Sequence, residues 1–480
     1  MGKLIKNYIY NGSYKLLIII IPLITTPYLT RILGKDALGI DAYVLSVVAL
    51  VELFGALGIN LYSNREVAYC RDDKKKLSLV YHEIQSIRIF LCVVVVAAYA
   101  LIAVHTKYKI FYLIHLLTII GYFIDITWFF VGCEDMKSPV IRNVIVKVLQ
   151  TLLVFLVIRS PSDLKKYIFI TAICNFISAV CMYTQISKLV EKVSFRELNI
   201  KRHIKPILLL FLPQAASSLY VQFDRTMIGL LSEDVSYVSI YDKAEMIVKV
   251  PLQLATATSP VFIPRISNEF INGRFDNIKK IVNEEIRFIF LFMIPMMAGM
   301  LAIANNLVVW YLGKQYTESV SVMMILTPTI LTIGMGEILG SQLMVSMNIT
   351  KGMTIAFSVG AIANIILNYF MIPVANADGA AIATVFAELI VIVIQWIYTK
   401  KYINTKKIFA SFVKKIIAAI IMYLIIEGLE RIINLGYFIF VIQVVIGVIV
   451  YFLILYILKD KEMMDGIRIL KEKLSSRKEA

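Results

Sequence analysis

The sequence predicts an all-α integral membrane protein with about fourteen transmembrane helices. Apolar residues make up 59% of the 480 residues and charged residues only 17%, with a mean hydropathy of +0.79. A soluble domain carries about 45–50% apolar and about 25% charged residues. Apolar runs long enough to cross roughly 30 Å of hydrocarbon recur along the chain. Backbone groups in lipid must be hydrogen-bonded within their own segment, so these runs are predicted to be helices and not open strands.

The predicted spans alternate with connections that differ in positive charge. The spans lie at 10–30, 40–62, 87–106, 109–132, 140–159, 164–187, 206–231, 238–264, 286–309, 319–347, 353–374, 378–399, 409–429 and 434–458. Lysine and arginine concentrate in every second connection, most densely at 71–76, and in the tail after 458. Because such loops stay in the cytoplasm, both termini are predicted to be cytoplasmic. This sidedness also explains the formal charge of +16, which in a soluble protein would indicate a nucleic-acid partner.

Several classes of chemistry have no motif in this sequence. It contains no ATP-binding phosphate loop, no zinc-protease motif and no serine nucleophile elbow. The five cysteines are scattered, which is typical of small apolar packing residues and of neither a disulfide framework nor a metal site. The predicted external connections are all short, whereas a membrane glycosyltransferase or polymerase is expected to place catalytic residues on a sizeable external loop. We therefore expect a transporter, with no catalytic residue, no metal and no cofactor.

A sequence repeat divides the chain. The pattern Ile-Pro-Leu … Tyr … Tyr within 21–43 resembles Leu-Pro-Gln … Tyr … Tyr within 212–241 at a nearly constant offset. Duplication into two bundles is common among transporters, although chance similarity between apolar helices is the alternative. The predicted organisation is an N-terminal lobe of six spans (1–190), a cytoplasmic linker (191–205), a C-terminal lobe of six spans (206–400), two further spans (401–458) and a cytoplasmic amphipathic tail (459–480).

Polar residues recur at steps of three or four within several predicted spans. That spacing places side chains on one helix face, and ionisable groups inside a membrane are costly unless they face a cavity or one another. The stripes are Gln214, Ser218, Gln222 and Arg225 in the seventh span, Asp242, Glu245, Lys249, Gln253 and Thr256 in the eighth, and His115, Thr118, Tyr122 and Asp125 in the fourth. Further polar residues at membrane depth are Glu52, Asp224, Glu337, Asn364, Asn368 and Glu388. These residues predict a hydrated cavity; the alternative is that they pair across helices to hold the bundle together.

The cations among these residues indicate an anionic substrate. Arg225 and Lys249 are the deepest, and in a low-dielectric cavity two such cations would bind a phosphate or diphosphate strongly. Lys15 and Arg31 are further candidates, with the alternative that Lys15 extends to the interface and that Arg31 anchors the outer end of its helix. The carboxylates of the stripes would neutralise these cations or bind a coupling proton or sodium ion, and the sequence leaves both open.

A series of short motifs carries a family resemblance. In chain order they are Pro27-Tyr28-Leu29-Thr30-Arg31-Ile32-Leu33-Gly34, Asn64-Arg65-Glu66-Val67-Ala68, Asp224-Arg225-Thr226-Met227-Ile228-Gly229, Tyr241-Asp242-Lys243-Ala244-Glu245-Met246, Phe262-Ile263-Pro264-Arg265-Ile266-Ser267 and Asp378-Gly379-Ala380-Ala381. Together and in this order they resemble the Wzx-type oligosaccharide flippases of the multidrug/oligosaccharidyl-lipid/polysaccharide exporter superfamily. The resemblance assigns no catalytic residue, so the roles of Arg225 and Lys249 follow from depth and charge alone.

The resemblance implies both an architecture and a substrate. It implies two pseudo-symmetric six-helix lobes around a central cavity, two extra C-terminal helices, and transport by alternating access. The implied cargo is an undecaprenyl-diphosphate-linked sugar repeat unit, moved across the bacterial cytoplasmic membrane for O-antigen, capsule or exopolysaccharide assembly. Partners would be the polymerase and glycosyltransferases of the same pathway. The alternatives are a drug/cation antiporter of the same superfamily, a peptidoglycan-precursor flippase and, from a different class, a membrane glycosyltransferase or polymerase.

Overall fold

The computed structural model describes residues 17–18, 20–432, 436 and 439–476. Within these ranges the regular elements are all helical, and this confirms the predicted fold class. The chain forms two compact units, and each is described by itself. The first unit comprises Met1–Gly229 and Asp234–Ser239, and the second comprises Leu230–Glu233 and Ile240–Ala480. The lobe boundaries given by the sequence stay a prediction.

The first unit is a bundle in which α5 packs against α2, α4 and α8. Two further close pairs, α3 with α6 and α7 with α8, complete the bundle around this centre. Its helices are α1 (20–32), α2 (Gly34–Ala56), α3 (Ile59–Cys70), α4 (Lys74–Ala103), α5 (Lys109–Ile124), α6 (Thr127–Gly132), α7 (Lys137–Val157), α8 (Leu164–Cys181), α9 (Tyr183–Leu189) and α10 (Lys201–Leu231).

The second unit is organised around one long helix, α13, which packs against α12, α14, α15, α17 and α18. A π-helical segment, Glu337–Met344, follows α15 and packs against α12 and α16. The helices are α11 (Ser236–Val248, which belongs to this unit from Ile240 onward), α12 (Leu252–Ile271), α13 (Phe275–Leu312), α14 (Ser319–Leu326), α15 (Thr329–Gly336), α16 (Thr350–Thr399), α17 (Thr405–Ile432), α18 (Ile439–Ile457) and α19 (Lys461–Ser476).

The helices of both units are long and apolar enough to cross a membrane many times. In the described part of the chain nine helical runs meet that condition, or up to eleven if each of two bent pairs is one span. The bent pairs are α11 with α12, at 50°, and α14 with Thr329–Met344, at 43°. The count of fourteen stays a prediction.

The long helix α16 contains a sharp break. It has 50 residues, which would make a straight helix about 75 Å long, far more than one membrane crossing. Asn376 adopts φ 48° and ψ −123°, and the chain reverses there. A Cβ atom on Gly379 would lie 2.2 Å from the carbonyl oxygen of Met371, so glycine is required for the two halves to approach. The motif at 378–381 therefore forms a tight connection between two helical segments.

A buried ion-pair cluster attaches the tail helix α19 to the rest of the second unit. The Lys415 side chain on α17 is fully buried, and its Nζ lies 3.1 Å from Asp460 and 3.0 Å from Glu462. Arg287 on α13 pairs with the same Glu462 at 3.2 Å. Burial opposes ionisation of Glu462, but Lys415, Ser411 and Arg287 together hold the pKa of its carboxyl below the usual value. The tail helix is thus part of the folded unit.

Replacing Lys415 tests the importance of this cluster. Lys415→Met leaves Asp460 buried without its cation, and such a change costs about 3–5 kcal/mol. We expect a clearly lower melting temperature of the purified protein in detergent. The matched control is Lys76→Met, because the pair of Lys76 with Asp73 is largely exposed, at 74% and 46%, and exposed pairs contribute little. Equal melting temperatures for the two variants would contradict a stabilising role.

The same cluster predicts a pH dependence of stability. The pKa of Glu462 is lower in the folded protein than its ordinary value of 4.5, so the folded state binds fewer protons than the unfolded state near that pH. The stabilisation is therefore complete above pH 4.5 and is lost as the pH falls through the lowered pKa. Thermal unfolding measured from pH 7 downwards should show a steeper loss for the wild type than for Glu462→Gln. If the melting temperatures of the wild type and Glu462→Gln fall in parallel with pH, ionised Glu462 does not contribute to stability.

Candidate functional site

Close packing of α10 on α2 fixes the part of the first unit that carries Arg225. The hydroxyl groups of Thr226 and Ser46 are 2.8 Å apart and hydrogen-bonded. One turn later, a Cβ atom on Gly229 would lie 2.0 Å from the ring of Tyr43, so the ring lies directly against the glycine backbone. The small residues of the motif at 224–229 therefore hold α10 against α2.

Arg225 directly precedes Thr226 on α10. Its Nη1 donates a hydrogen bond to Oε1 of Gln222 at 3.3 Å, which agrees with their predicted position on one helix face. The preceding residue, Asp224, is buried. The side chains of Ser218 and Gln214, the other members of the predicted stripe, lie outside the described residues.

Lys249 lies at the break between α11 and α12 in the second unit. The break spans Lys249–Pro251, where proline cannot continue the backbone ladder, and the two helices bend by 50°. The Nζ of Lys249 is 2.7 Å from Oε1 of Glu245, and the lysine side chain is 37% exposed while that of the glutamate is nearly buried. Asp242 pairs with its neighbour Lys243 at 2.8 Å. Both carboxylates of the predicted stripe, Asp242 and Glu245, are thus ion-paired. Gln253 is exposed beyond the break.

Asp125 lies at a second helix break, between α5 and α6 of the first unit. Its backbone is extended, with φ −60° and ψ 126°. One carboxylate oxygen accepts a hydrogen bond from the backbone N–H of Thr127 at 2.6 Å. The other pairs with Nη1 of Arg142 on α7 at 2.9 Å. Arg142 also donates to the carbonyl oxygen of Ser178 on α8 at 3.0 Å, so it joins three helices at this break.

A buried arginine that the sequence analysis missed completes this break. Arg88 on α4 is almost fully buried. Its Nε donates to the carbonyl oxygen of Phe123 at 3.0 Å, and its Nη2 donates to that of Tyr122 at 2.6 Å. These are carbonyls of the last turn of α5, which have no partner within the helix. The sequence pattern that could have identified Arg88 is a single arginine at the start of the long apolar run of α4.

The remaining candidates are dispersed. Arg31 is exposed and donates a hydrogen bond to the carbonyl oxygen of Pro27 at 2.8 Å. Glu52 is half-buried on α2 and Glu388 is buried on α16. Glu337 accepts a hydrogen bond from the hydroxyl of Ser259 at 2.7 Å. Lys15 lies outside the described residues. Among the residues that are described, no three His, Cys, Asp or Glu side chains cluster as a metal site would require.

An apolar cavity of about 390 Å³ adjoins the break that carries Lys249. It lies between the start of α12 and helices α13, α17 and α18, all within the second unit. Val250 and Pro251, the two residues that follow Lys249, form part of its wall. Other lining residues are Leu254, Pro295, Met300, Met422 and Val448. A cavity of this composition accepts a hydrocarbon chain, and Lys249 directly precedes two of its lining residues in the chain.

The arrangement of helices matches that of known membrane transporters. A structure of the lipid II flippase MurJ in an inward closed conformation superposes with a TM-score of 0.70 at 18% identity, covering 94% of this chain and 98% of the other. An inward-facing multidrug resistance MATE family transporter of the MOP superfamily gives a TM-score of 0.61 at 14% identity, covering 82% and 95%. The protein is therefore a multi-pass membrane protein with the fold of this transporter class.

Sequence comparison assigns the family within that class. The chain belongs to the polysaccharide biosynthesis protein family, whose profile matches residues 4–270. A Shigella dysenteriae protein that bears the name "Putative O-antigen transporter" is 26% identical over 77% of this chain and 93% of its own length. A protein of the same name from Escherichia coli K12 is 22% identical over 80% and 94%. The predicted kinship with the Wzx-type flippases is confirmed.

The exposure of Lys249 can be tested by chemical labelling. In a variant whose five natural cysteines are replaced, Lys249→Cys should react with a water-soluble thiol reagent, because only a hydrated thiol ionises and reacts readily. Val248→Cys is the matched control, since the Val248 side chain is 1% exposed, and it should stay unlabelled. Mass spectrometry of the intact protein measures both. Equal labelling of the two positions would contradict a hydrated site at the break.

Proposed function

We propose that this protein translocates an undecaprenyl-diphosphate-linked oligosaccharide repeat unit across the bacterial cytoplasmic membrane by alternating access, for assembly of a cell-surface polysaccharide. The observation that carries the proposal is that Lys249 directly precedes Val250 and Pro251, two residues that line an apolar cavity. A polyprenyl diphosphate combines a long hydrocarbon chain with a compact anion. In the second unit, the apolar cavity matches the hydrocarbon chain, and Lys249 matches the anion.

The anion-binding half of the proposal depends on Lys249. A lysine ammonium has three N–H donors, and the contact with Glu245 at 2.7 Å does not exhaust them. A diphosphate carries more negative charge than one carboxylate and has several acceptor oxygens, so it can bind beside Glu245. Arg225 supplies a second positive charge, and Lys15 and Arg31 are further candidates for phosphate binding.

The hydrocarbon half depends on the apolar cavity. Burial of apolar surface stabilises a bound chain by about 25 cal/mol per Å², and the walls formed by α13, α17 and α18 offer methyl, methylene and thioether groups. A part of the isoprenoid next to the diphosphate fits a volume of about 390 Å³, and the rest of the chain extends into lipid.

Polar side chains of both units are proposed to contact the sugars or to take part in ion coupling. They are Glu52, Asp125, Asp224, Asp242, Glu245, Gln214, Gln222, Gln253, Glu337 and Glu388. Both termini are proposed to be cytoplasmic, as the positive charge of the loops indicates. In that orientation the membrane potential drives export of an anionic headgroup, at about 2.3 kcal/mol per charge per 100 mV. Partners are the polymerase and glycosyltransferases that use and supply the same lipid-linked sugar.

A deletion strain gives the direct test of the proposed function. Lipid-linked sugars are extracted from cells that lack the gene, and their accessibility to an external glycan-modifying reagent is measured. A complete diphosphate-linked repeat unit confined to the inner leaflet is the expected result. Accumulation of a peptidoglycan precursor would indicate a peptidoglycan-precursor flippase with the same chemistry. Normal surface polymer with raised drug sensitivity would contradict the proposal and indicate a drug antiporter.

The two deepest predicted cations can be tested in the same strain. Arg225→Ala combined with Lys249→Ala should abolish surface polymer, because the diphosphate loses both positive charges, while the protein still inserts into the membrane. The matched control is Lys192→Ala combined with Arg196→Ala, which removes two exposed cations from the connector before α10. Western blots of membrane fractions and polymer assays measure both. Normal polymer output from the first double variant would refute the assignment of Arg225 and Lys249.

A further inference from the structure

A buried polar cluster joins α12, α13 and the π-helical segment of the second unit. Oε1 of Glu285 lies 2.9 Å from the hydroxyl of Thr258. Nε2 of Gln342 donates to that hydroxyl at 3.1 Å and to the hydroxyl of Ser259 at 3.2 Å. Ser259 in turn donates to Glu337 at 2.7 Å. Two carboxyl groups are therefore connected through one amide and two hydroxyls.

Two oxygen atoms of this cluster have unused acceptor capacity. Glu285 is 1% exposed and Gln342 is fully buried. Within the described residues, Oε2 of Glu285 and Oε1 of Gln342 have no hydrogen-bond partner. A buried acceptor without a donor costs about 1–3 kcal/mol. Both oxygens can therefore accept a further hydrogen bond or, in the case of Glu285, a proton.

The hydroxyl of Thr258 indicates which form of Glu285 fits the geometry. A hydroxyl has one proton to donate, and the carbonyl oxygen of Ala255 lies closest, at 2.7 Å. When Thr258 donates to Ala255, its oxygen is an acceptor towards Gln342 and Glu285. The contact of 2.9 Å with Glu285 is then a hydrogen bond only if the carboxyl carries the proton. With Thr258 donating to Ala255, the arrangement fits a neutral carboxylic acid at Glu285.

The charged groups around Glu285 agree with this arrangement. Arg287, two residues further along α13, pairs with Glu462 at 3.2 Å. Lys415 on α17 contacts Asp460 and the same Glu462. From the π-helical segment, the carboxylate of Glu337 acts on Glu285 as a like charge. Burial of Glu285 and this nearby like charge both oppose ionisation of its carboxyl.

The π-helical segment gives the cluster a means to respond. π-helical turns are rare and occur frequently at functional sites, and Glu337 and Gln342 both lie on this one. Loss of the proton from Glu285 would turn Thr258 and Gln342 into donors towards the carboxylate. The hydrogen bonds of Gln342 to α12 would then be rearranged, and with them the contact between α12 and the π-helical segment.

We propose that Glu285 is a proton-binding residue, and that its protonation and deprotonation couple proton movement to transport by the second unit. Gln342 and Thr258 position the carboxyl, and its burial, with a smaller contribution from Glu337, makes its ionisation costly. The coupling part of this inference rests on the proposed function, whereas proton binding by Glu285 does not.

Infrared difference spectroscopy of the purified full-length protein in liposomes tests proton binding directly. Changing the pH should produce a signal in the carboxylic-acid C=O stretch that is lost in Glu285→Gln. Glu284→Gln is the matched control, because Glu284 is the exposed neighbour on the same helix, and it should retain the signal. Glu337→Gln removes the like charge and should lower the pH of half-maximal signal by about one unit. An unchanged signal in Glu285→Gln would overturn the proposal.

A second variant covers the case in which Glu285→Gln does not fold. Gln342→Met keeps the carboxyl and removes its amide neighbour, so the frequency of the C=O signal should shift; an unchanged frequency would overturn the site. A signal that responds to sodium at constant pH, but not to pH, would show that the site holds sodium and would equally overturn the proposal.

Coupling is tested by transport in proteoliposomes loaded with the lipid-linked sugar of the deletion strain. A pH gradient should accelerate translocation by the wild type and by Glu284→Gln, and this acceleration should be lost in Glu285→Gln. Retained acceleration would refute the coupling role. If the wild type moves no lipid-linked sugar at all, the proposed function fails, while the infrared result for Glu285 is unaffected.

Discussion

Every backbone N–H and C=O group inside a membrane must find a partner within the protein, since hydrocarbon offers none. Unbroken helices meet this condition by themselves, but a broken helix leaves carbonyl and amide groups that side chains must satisfy. Around Asp125, Arg88 and Arg142 do so from two neighbouring helices. The breaks at Lys249 and Asn376 are set by proline and by a glycine-containing connection. Candidate functional residues are found at such breaks because polar side chains are required there in any case.

The same condition explains how much of the fold could be predicted. Long apolar runs permit only helices, so the all-α class and the membrane location followed directly from the sequence. The number of crossings did not follow directly from the sequence. A bent pair such as Ser236–Val248 with Leu252–Ile271 has the same hydropathy as a continuous run. A break depends on backbone angles at a few residues, and composition averaged over twenty residues does not report them.

For the candidate site, helical spacing predicted contacts within one helix but not between helices. Gln222 and Arg225, and likewise Glu245 and Lys249, were placed on shared faces, and the structure shows both contacts. The partner of Asp125 was missed because Arg142 lies on a different helix. Glu285 was missed as a candidate, since its burial depends on the packing of α12 and the π-helical segment against α13.

The attachment of α19 has a consequence for the order in which the second unit is assembled. Lys415 reaches the membrane before Asp460 and Glu462 have been synthesised, so α17 first inserts with a cation that has no counter-charge. Until residues 460–462 leave the ribosome, that lysine must remain near water or phospholipid headgroups. Helix α17 therefore gains the counter-charges of Lys415 only after α18 has been synthesised, by which time the first unit has had time to fold.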